Sequence, residues 1–159
     1  MSGGKHYTEQ ALTMEMLDSK IDKLRWDWES STSKITTLYF HFNGGGSVIT
    51  TGYWGDLPIH INFAIMGWTL TGSDAAGTAT GAIKIDIWKD TYANYPPTNA
   101  DSICNGHEPE IVASGTKAQD MDLGDWLTRI VRAGRHLAFY VDSCATFTLA
   151  TLALKIRRL

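Results

Sequence analysis

Residues 83–103 read IKIDIWKDTYANYPPTNADSI, and no other part of the chain is as informative. Isoleucine occupies every second position from Ile83 to Ile87, with polar or aromatic residues between. Such alternation is typical of a half-buried β-strand. Pro96 and Pro97 restrict the backbone that follows, because a proline ring fixes φ and also constrains the residue before it. The stretch therefore predicts a strand that runs into an extended, rigid aromatic loop.

The same block resembles a β-domain of tailed-phage virion proteins, of the tail-fibre tip, head-fibre or decoration type. In that family a strand ending in D-x-W-K-D-T-Y-A-N continues into P-P-T-x-x-D-S-I, and both segments stand here between residues 86 and 103. The resemblance extends over residues 46–159 and includes the turn at Gly134, where Arg135 replaces the family's usual acidic residue. It carries no catalytic signature. It implies a β-sandwich building block of a virion and leaves the target of that block open.

The same alternation recurs further along the chain. Apolar residues occupy every second position in 38–42, 57–63, 137–141 and 152–156, and glycine-containing turns separate these segments. Roughly seven to nine short strands with turns at this spacing predict a mainly β fold, a single antiparallel sandwich of jelly-roll type. We expect its core to contain the following residues: Phe40, Phe42, Ile59, Ile61, Ile83, Ile85, Ile87, Phe139, Val141, Leu152 and Leu154.

The N-terminal segment has a different pattern. Residues 9–29 contain no glycine or proline, and apolar side chains recur at alternating steps of three and four, the a/d repeat of a coiled coil. Thr8 suits the N-cap, and the serine and threonine residues at 30–33 end the helix. We therefore predict an anchor helix and linker over residues 1–33 and the β-sandwich domain over 34–159. The residues predicted to carry self-association or docking are Met14, Leu17, Ile21, Leu24 and Trp28.

Two interpretations of this helix remain open. It can lie on its own β-domain as an amphipathic helix, or it can serve as an oligomeric stalk or docking element. Barely two heptads cannot hold chains together alone, since helices this short are marginal in water. In the second interpretation the β-domain therefore supplies most of the association. The phage resemblance favours this second interpretation.

Composition and charge argue against several classes of protein. The 159 residues are 43% hydrophobic and 11% aromatic, which is enough for one sizeable core. A formal net charge of −3 argues against a nucleic-acid binder, which normally carries a basic stripe. No apolar run approaches the ~20 residues of a membrane span, and the N-terminus lacks the apolar core of a signal peptide. We expect assembly in the host cytoplasm and a location in the virion.

The residues that could carry chemistry predict no enzyme. Asp86 and Asp90 flank Trp88, and a glycosidase also uses two carboxylates, but acidic residues at a strand end usually only solvate it. Cys104 and Cys144 match no zinc or redox spacing, and whether they pair is left open. We expect no catalytic residue, no metal and no cofactor.

Loop aromatics provide the strongest binding signal. Aromatic faces stack on sugar rings and amides bond hydroxyls, so aromatics interspersed with Asn94 and Asn99 would suit a shallow glycan site. Aromatics also dominate interfaces between subunits, and an interface or a packed capping loop is the favoured interpretation. The candidate contacts are Trp88, Tyr92 and Tyr95, and a second patch near an earlier turn contains Tyr53, Trp54 and Asp56.

Taken together, these features predict a non-enzymatic phage virion structural protein, such as a fibre, a knob or a capsid decoration. It would form a homotrimer through its β-domain and dock by its N-terminal helix to capsid, neck or tail components. A host-surface glycan is a further expected partner. The alternative is a monomeric carbohydrate-binding module that uses the exposed loop aromatics. The heptad helix favours the first, because a lone binding module gains nothing from an attachment element.

Overall fold

The computed structural model describes residues 13–25 and 34–159. Residues 13–25 are helical throughout, as predicted for the anchor segment. Thr8, Trp28 and the predicted linker at 30–33 lie outside the described residues. The domain boundary at residue 33 therefore stays a prediction.

The rest of the described chain is built from strands. Two short 3-10 turns, Tyr92–Asn94 and Asn99–Asp101, lie in the loop that follows the fourth strand. In chain order the strands are β1 (Ile35–Asn43), β2 (Gly52–Pro58), β3 (Phe63–Ser73), β4 (Gly81–Thr91), β5 (Glu110–Gly115), β6 (Lys117–Asp120), β7 (Ile130–Val131), β8 (Arg135–Ala145) and β9 (Leu149–Arg158).

Strand order identifies the architecture. One sheet has the order β1-β9-β3-β6, with the short β7 also paired to β3, and the other has the order β2-β8-β4-β5. With β7 set aside, β1 pairs with β9, β2 with β8, β3 with β6 and β4 with β5. Each pair therefore lies between the two strands of the previous pair in sequence. This nesting is the jelly-roll arrangement, in which two antiparallel sheets face each other. The predicted mainly β sandwich of jelly-roll type, preceded by a short helix, is confirmed.

The core lies between the two sheets and follows the predicted alternation. Ile83, Ile85 and Ile87 on β4 have no exposed surface. Burying each such side chain stabilises the fold by about 1.5–3 kcal/mol relative to leaving it in water. Phe40 is only partly buried and stacks on Phe139, with ring centroids 4.3 Å apart. The other predicted core residues found buried are Phe42, Ile59, Phe139, Val141, Leu152 and Leu154.

The prediction for Ile61 is wrong, because this side chain is 41% exposed. Alternation over residues 57–63 predicted a single strand, but β2 ends at Pro58 and β3 begins at Phe63. The residues between them cross from one sheet to the other. Loop hydrogen bonds hold this crossing, including one from the Leu159 N–H to the Asn62 carbonyl at 3.1 Å. The alternation of apolar residues thus continues beyond the end of β2. In that segment it does not indicate which side chains face the core.

The second half of β4 is covered on both faces. Asp86 and Trp88 lie opposite the isoleucines, yet they are only 3% and 7% exposed. The loop after β4 folds back over them, since Ser102 forms a bridge with Trp88 and the Ile103 N–H donates to the Ile87 carbonyl at 2.9 Å. Strand and loop therefore form one ordered unit, and this unit positions the candidate site.

Candidate functional site

The buried carboxylate of Asp86 fastens the loop to its strand. It accepts hydrogen bonds from the Ile87 N–H at 2.8 Å, the Trp88 Nε1 at 2.6 Å and the Ser102 hydroxyl at 2.7 Å. Because a buried carboxylate is costly unless it is hydrogen-bonded, these three donors explain why an acid is tolerated here. The role of Asp86 in this structure is to hold the backbone and the Trp88 ring.

Two further aspartates organise the loop itself. Asp90 Oδ1 accepts from the Thr91 N–H at 2.6 Å and from the Asn94 amide at 3.4 Å. Thr98 and Asp101 form a capping box, in which Asp101 Oδ2 accepts from the Thr98 N–H at 2.8 Å and its hydroxyl at 2.9 Å. These are turn-stabilising contacts. The structure therefore gives Asp90, like Asp86, contacts that stabilise the strand and its loop.

The loop and two strands line an open groove with a volume of about 390 Å³. Trp88 belongs to β4, Tyr53 comes from β2, and Tyr95 comes from the loop. Members of two predicted patches that are distant in sequence thus line the same groove. We call this feature the aromatic groove; its lining residues are Tyr53, Trp88, Tyr95, Pro96, Pro97, Thr98 and Asn99.

Asp56 on β2 lies behind the aromatic groove and joins its walls. Its Oδ1 accepts hydrogen bonds from the hydroxyls of Tyr53 at 3.0 Å and Tyr95 at 3.3 Å. Its Oδ2 accepts one from His136 Nδ1 on β8 at 2.6 Å. The His136 ring also lies beside Tyr95, with centroids 5.1 Å apart. One carboxylate therefore fixes two aromatic walls that come from different elements.

The same network sets the protonation of its members. Burial alone would raise the pKa of Asp56, but the hydrogen bonds from His136 and Tyr53 outweigh it, so the pKa lies below its ordinary value. Partial burial, together with the neighbouring Tyr95 hydroxyl and Asp56 carboxylate, raises the pKa of Tyr53. At neutral pH, Asp56 is therefore a carboxylate that accepts from the protonated hydroxyl of Tyr53.

Not all of the predicted aromatic contacts share this place. The sequence suggested that Trp88 is an exposed loop aromatic, but the structure shows a buried side chain. The returning loop covers Trp88, and its ring forms the floor of the groove. Tyr92 is 78% exposed and does not line the groove. Trp54 points elsewhere: its Nε1 donates to the Thr50 carbonyl at 2.8 Å and its ring meets Phe42 edge-on. His136 was missed, because nothing in the sequence links it to Asp56, 80 residues away.

The predicted association stripe is exposed wherever it is described. The exposed fractions are 63% for Met14, 53% for Leu17, 46% for Ile21 and 68% for Leu24. Trp28 lies outside the described residues. Self-association or docking through these residues stays a prediction.

Three carboxylates converge on the outer face of β4, a cluster that the sequence did not predict. In the described residues, Asp86, Glu108 and Asp142 offer oxygens within 4.8 Å of one another. The Lys84 ammonium lies 3.0 Å from Glu108 Oε2, and this hydrogen bond raises the pKa of Lys84. Burial, with Asp86 and Glu108 nearby, raises the pKa of Asp142. An internal cation thus balances part of the cluster.

The two cysteines are both free thiols. Cys104 is buried, and burial raises the pKa of its thiol well above the ordinary value. Cys144 is half-buried on β8. Within residues 13–25 and 34–159, no helix is long and apolar enough to span a membrane.

Comparison with known proteins identifies no family. No protein-family model matches the chain, and no curated protein matches it in sequence. Among solved structures, it is similar to a chain of the capsid of Ralstonia phage GP4, with 13% identity, a TM-score of 0.41, and coverage of 79% of this chain and 84% of that one. A chain of the cyanophage Pam1 capsid asymmetric unit gives 15% identity, a TM-score of 0.33 and coverage of 78% and 83%. The chain is also similar to the CBM22-1–GH10 modules of a Clostridium thermocellum xylanase complexed with xylohexaose. The identity is 13%, the TM-score is 0.30, and the match covers 79% of this chain and 26% of that one.

Proposed function

We propose that this protein is a non-enzymatic structural component of a phage virion, a homotrimer that docks through its N-terminal helix. The observation that carries the proposal is the block at residues 86–103. Its sequence resembles a block of phage virion proteins, and in the folded chain its polar side chains hold the loop against β4. A block whose polar groups serve the fold suits a building block better than a catalyst.

The internal bonding of the two candidate acids supports a role without catalysis. A glycosidase needs two carboxyl groups that face a bound sugar and a water molecule. Here Asp86 is 3% exposed and accepts three hydrogen bonds from its own surroundings. Asp90 caps the start of the loop. Both carboxylates are therefore engaged in holding the strand and the loop, which supports a role without catalysis.

The exposed stripe on the helix supports the docking role. Four apolar side chains at heptad spacing are exposed, although a short helix gains most of its stability by burying such a stripe. A partner helix or a groove on another virion protein would cover it. The stripe consists of Met14, Leu17, Ile21 and Leu24, and Trp28 continues it in the sequence.

Trimer formation is assigned to the β-domain, which offers exposed apolar side chains of its own. Tyr39 on β1 is 60% exposed, Val112 on β5 is 69% exposed and Leu127 is 68% exposed. Many copies on a particle would turn weak single contacts into strong attachment. Capsid, neck and tail components are the proposed partners of the helix.

Light scattering on the purified chain tests the assembly directly. The proposal predicts a mass near three times 17.6 kDa. A monomer at micromolar concentration would contradict the trimer and favour the alternative, a monomeric carbohydrate-binding module. The aromatic groove is the observation that keeps this alternative in view.

A further inference from the structure

We infer that the aromatic groove binds a neutral saccharide, whose ring packs between the side chains of Tyr53 and Tyr95 above Trp88. This inference deepens the proposed function, because it names the chemistry of a surface contact made by the virion protein. Its role as a virion contact rests on the proposed function, whereas the evidence for binding is the geometry of the groove. The test below is separate from the test of assembly.

Size and lining place the aromatic groove among sites for small ligands. Its volume of about 390 Å³ lies within the roughly 300–1,000 Å³ of typical ligand clefts. Aromatic rings form its walls and floor, and Pro96 and Pro97 extend the apolar lining. A pyranose ring presents a face of C–H groups, which packs on such surfaces. A groove of this size accepts one or two sugar rings.

The walls are held in place before any ligand binds. Asp56 ties the hydroxyls of Tyr53 and Tyr95 to one carboxylate oxygen, and His136 holds the other oxygen. Binding to fixed side chains costs less conformational entropy than binding to side chains that must be ordered first. Tyr53 is 43% exposed and Tyr95 49% exposed, so their rings remain accessible despite being tethered.

The polar groups of the three rings are already engaged, and this distinguishes a saccharide from an extended peptide. Grooves that bind proline-rich peptides also use aromatic side chains. In such a complex the peptide carbonyls need donors. Here both tyrosine hydroxyls donate to Asp56 and Trp88 Nε1 donates to Asp86. The rings therefore have no free donor for a peptide carbonyl. Their apolar faces can stack on a sugar ring, and the tyrosine oxygens can still accept from sugar hydroxyls.

The rim of the groove supplies hydrogen bonds and no charge. Asn99 is exposed, and no other described residue bonds its side-chain amide. This amide can both donate to and accept from sugar hydroxyls. Neither a basic nor an acidic residue is among the lining residues. The expected ligand is therefore uncharged, in contrast to a sialylated or uronic-acid sugar.

The test is titration of the full chain with neutral tetrasaccharides. Tryptophan fluorescence and calorimetry measure the binding. The probes are cellotetraose, mannotetraose and β-1,4-galactotetraose, with tetragalacturonate as the anionic control and decaproline as the peptide control. The inference predicts saturable binding of at least one neutral probe and none of either control. Saturation by decaproline alone, or no binding of any neutral probe up to about 10 mM, overturns it.

Matched variants locate the site. Tyr95→Ala removes one wall and should weaken binding roughly tenfold, whereas Tyr92→Ala removes an exposed aromatic outside the groove and should leave affinity within about twofold. Asn99→Ala, at the rim, gives a second reading if Tyr95→Ala fails to fold. Equal affinity for wild type and for both groove variants overturns the inference. Because the light-scattering mass is measured without sugar, loss of this inference leaves the proposed assembly intact, and the reverse also holds.

Discussion

The Trp88 indole donates a hydrogen bond of 2.6 Å to Asp86 Oδ2, between buried residues two positions apart on one strand. The other carboxylate oxygen accepts from the Ser102 hydroxyl at 2.7 Å. Trp88 also stacks on Tyr140 of β8, with centroids 4.6 Å apart. This pair thus joins the strand, the returning loop and the floor of the aromatic groove.

Asp86→Ala should destabilise the fold by about 2–4 kcal/mol, because it leaves the Trp88 and Ser102 donors buried without their acceptor. Urea unfolding followed by tryptophan fluorescence measures the change. Asp125→Ala is the control, since Asp125 is exposed, and its effect should stay within about 0.5 kcal/mol of wild type. Similar midpoints for the two variants would contradict the fastening role of Asp86.

Ile85→Ala should cost about 2–5 kcal/mol, since Ile85 is fully buried between the sheets and its truncation leaves a cavity. Ile61→Ala offers a comparison with the same change of side chain at a 41% exposed site. We expect the second variant to lose about 1 kcal/mol or less. Thermal unfolding of both proteins checks the corrected position of Ile61; an equal loss of stability would place Ile61 in the core after all.

Asp56 should make stability depend on pH in acid. Its ordinary pKa is 3.8 and its pKa in the folded chain is lower, so the folded state favours the carboxylate. The stability that it contributes is fully present above the unfolded pKa and is lost as the pH falls through the folded pKa. Unfolding free energies of wild type and Asp56→Asn should therefore differ by a constant amount at pH 5–6, and the difference should shrink as the pH falls below about 3.8. A difference that does not change with pH would refute this assignment.

The helix stripe should carry contacts between chains or to a partner. Ile21→Asp combined with Leu24→Asp places two charges on the stripe and should abolish those contacts, while near-ultraviolet circular dichroism of the β-domain stays unchanged. Ser19→Asp with Lys23→Asp alters charge at positions outside the stripe and should be neutral. Sedimentation of each variant, alone and with purified particles, measures the effect. Full association of the stripe variant would exclude the docking helix.

The two thiols should react at different rates in the native chain. Cys144 is half-buried, whereas Cys104 is fully buried and its pKa is raised by burial, so it is present as the unreactive thiol. A thiol-specific reagent should label Cys144 first and label both residues after denaturation. Equal native labelling would contradict the burial of Cys104, and a mass two hydrogens lighter after purification would reveal a disulfide.

The sequence predicted those parts of the fold in which local periodicity and burial agree. Isoleucines at alternate positions of β4 are buried because a strand turns successive side chains to opposite faces. The predicted burial of Ile61 was wrong because the alternation of apolar residues extends into the segment that crosses between the sheets. That segment is not a strand, so alternation there does not indicate burial. Trp88 was predicted to be exposed because the alternation of β4 assigns it to the outer face. The loop that covers this face comes from later in the chain, and the pattern of β4 alone does not reveal it.

The candidate site was predicted as a list of aromatic residues and not as an arrangement. Tyr53 and Tyr95 were named in separate patches, and the contact that joins them depends on Asp56 and on strand pairing between β2 and β8. Trp54 follows Tyr53 in sequence, but it lies at an irregularity in the pairing of β2 with β8, and its indole contacts Thr50 and Phe42 instead of the groove. The arrangement of the site therefore depends on the pairing of strands that are distant in sequence, which composition and local patterns do not reveal.

Protein analysis of gradient-purified particles is the decisive experiment for a virion role. If the proposal holds, particles of a phage whose genome carries this sequence would be banded, and mass spectrometry would follow the chain across the gradient. The account predicts that the chain travels with the major capsid protein in a constant ratio through the particle peak. A chain that stays in the soluble fraction while the particles sediment without it would contradict the account.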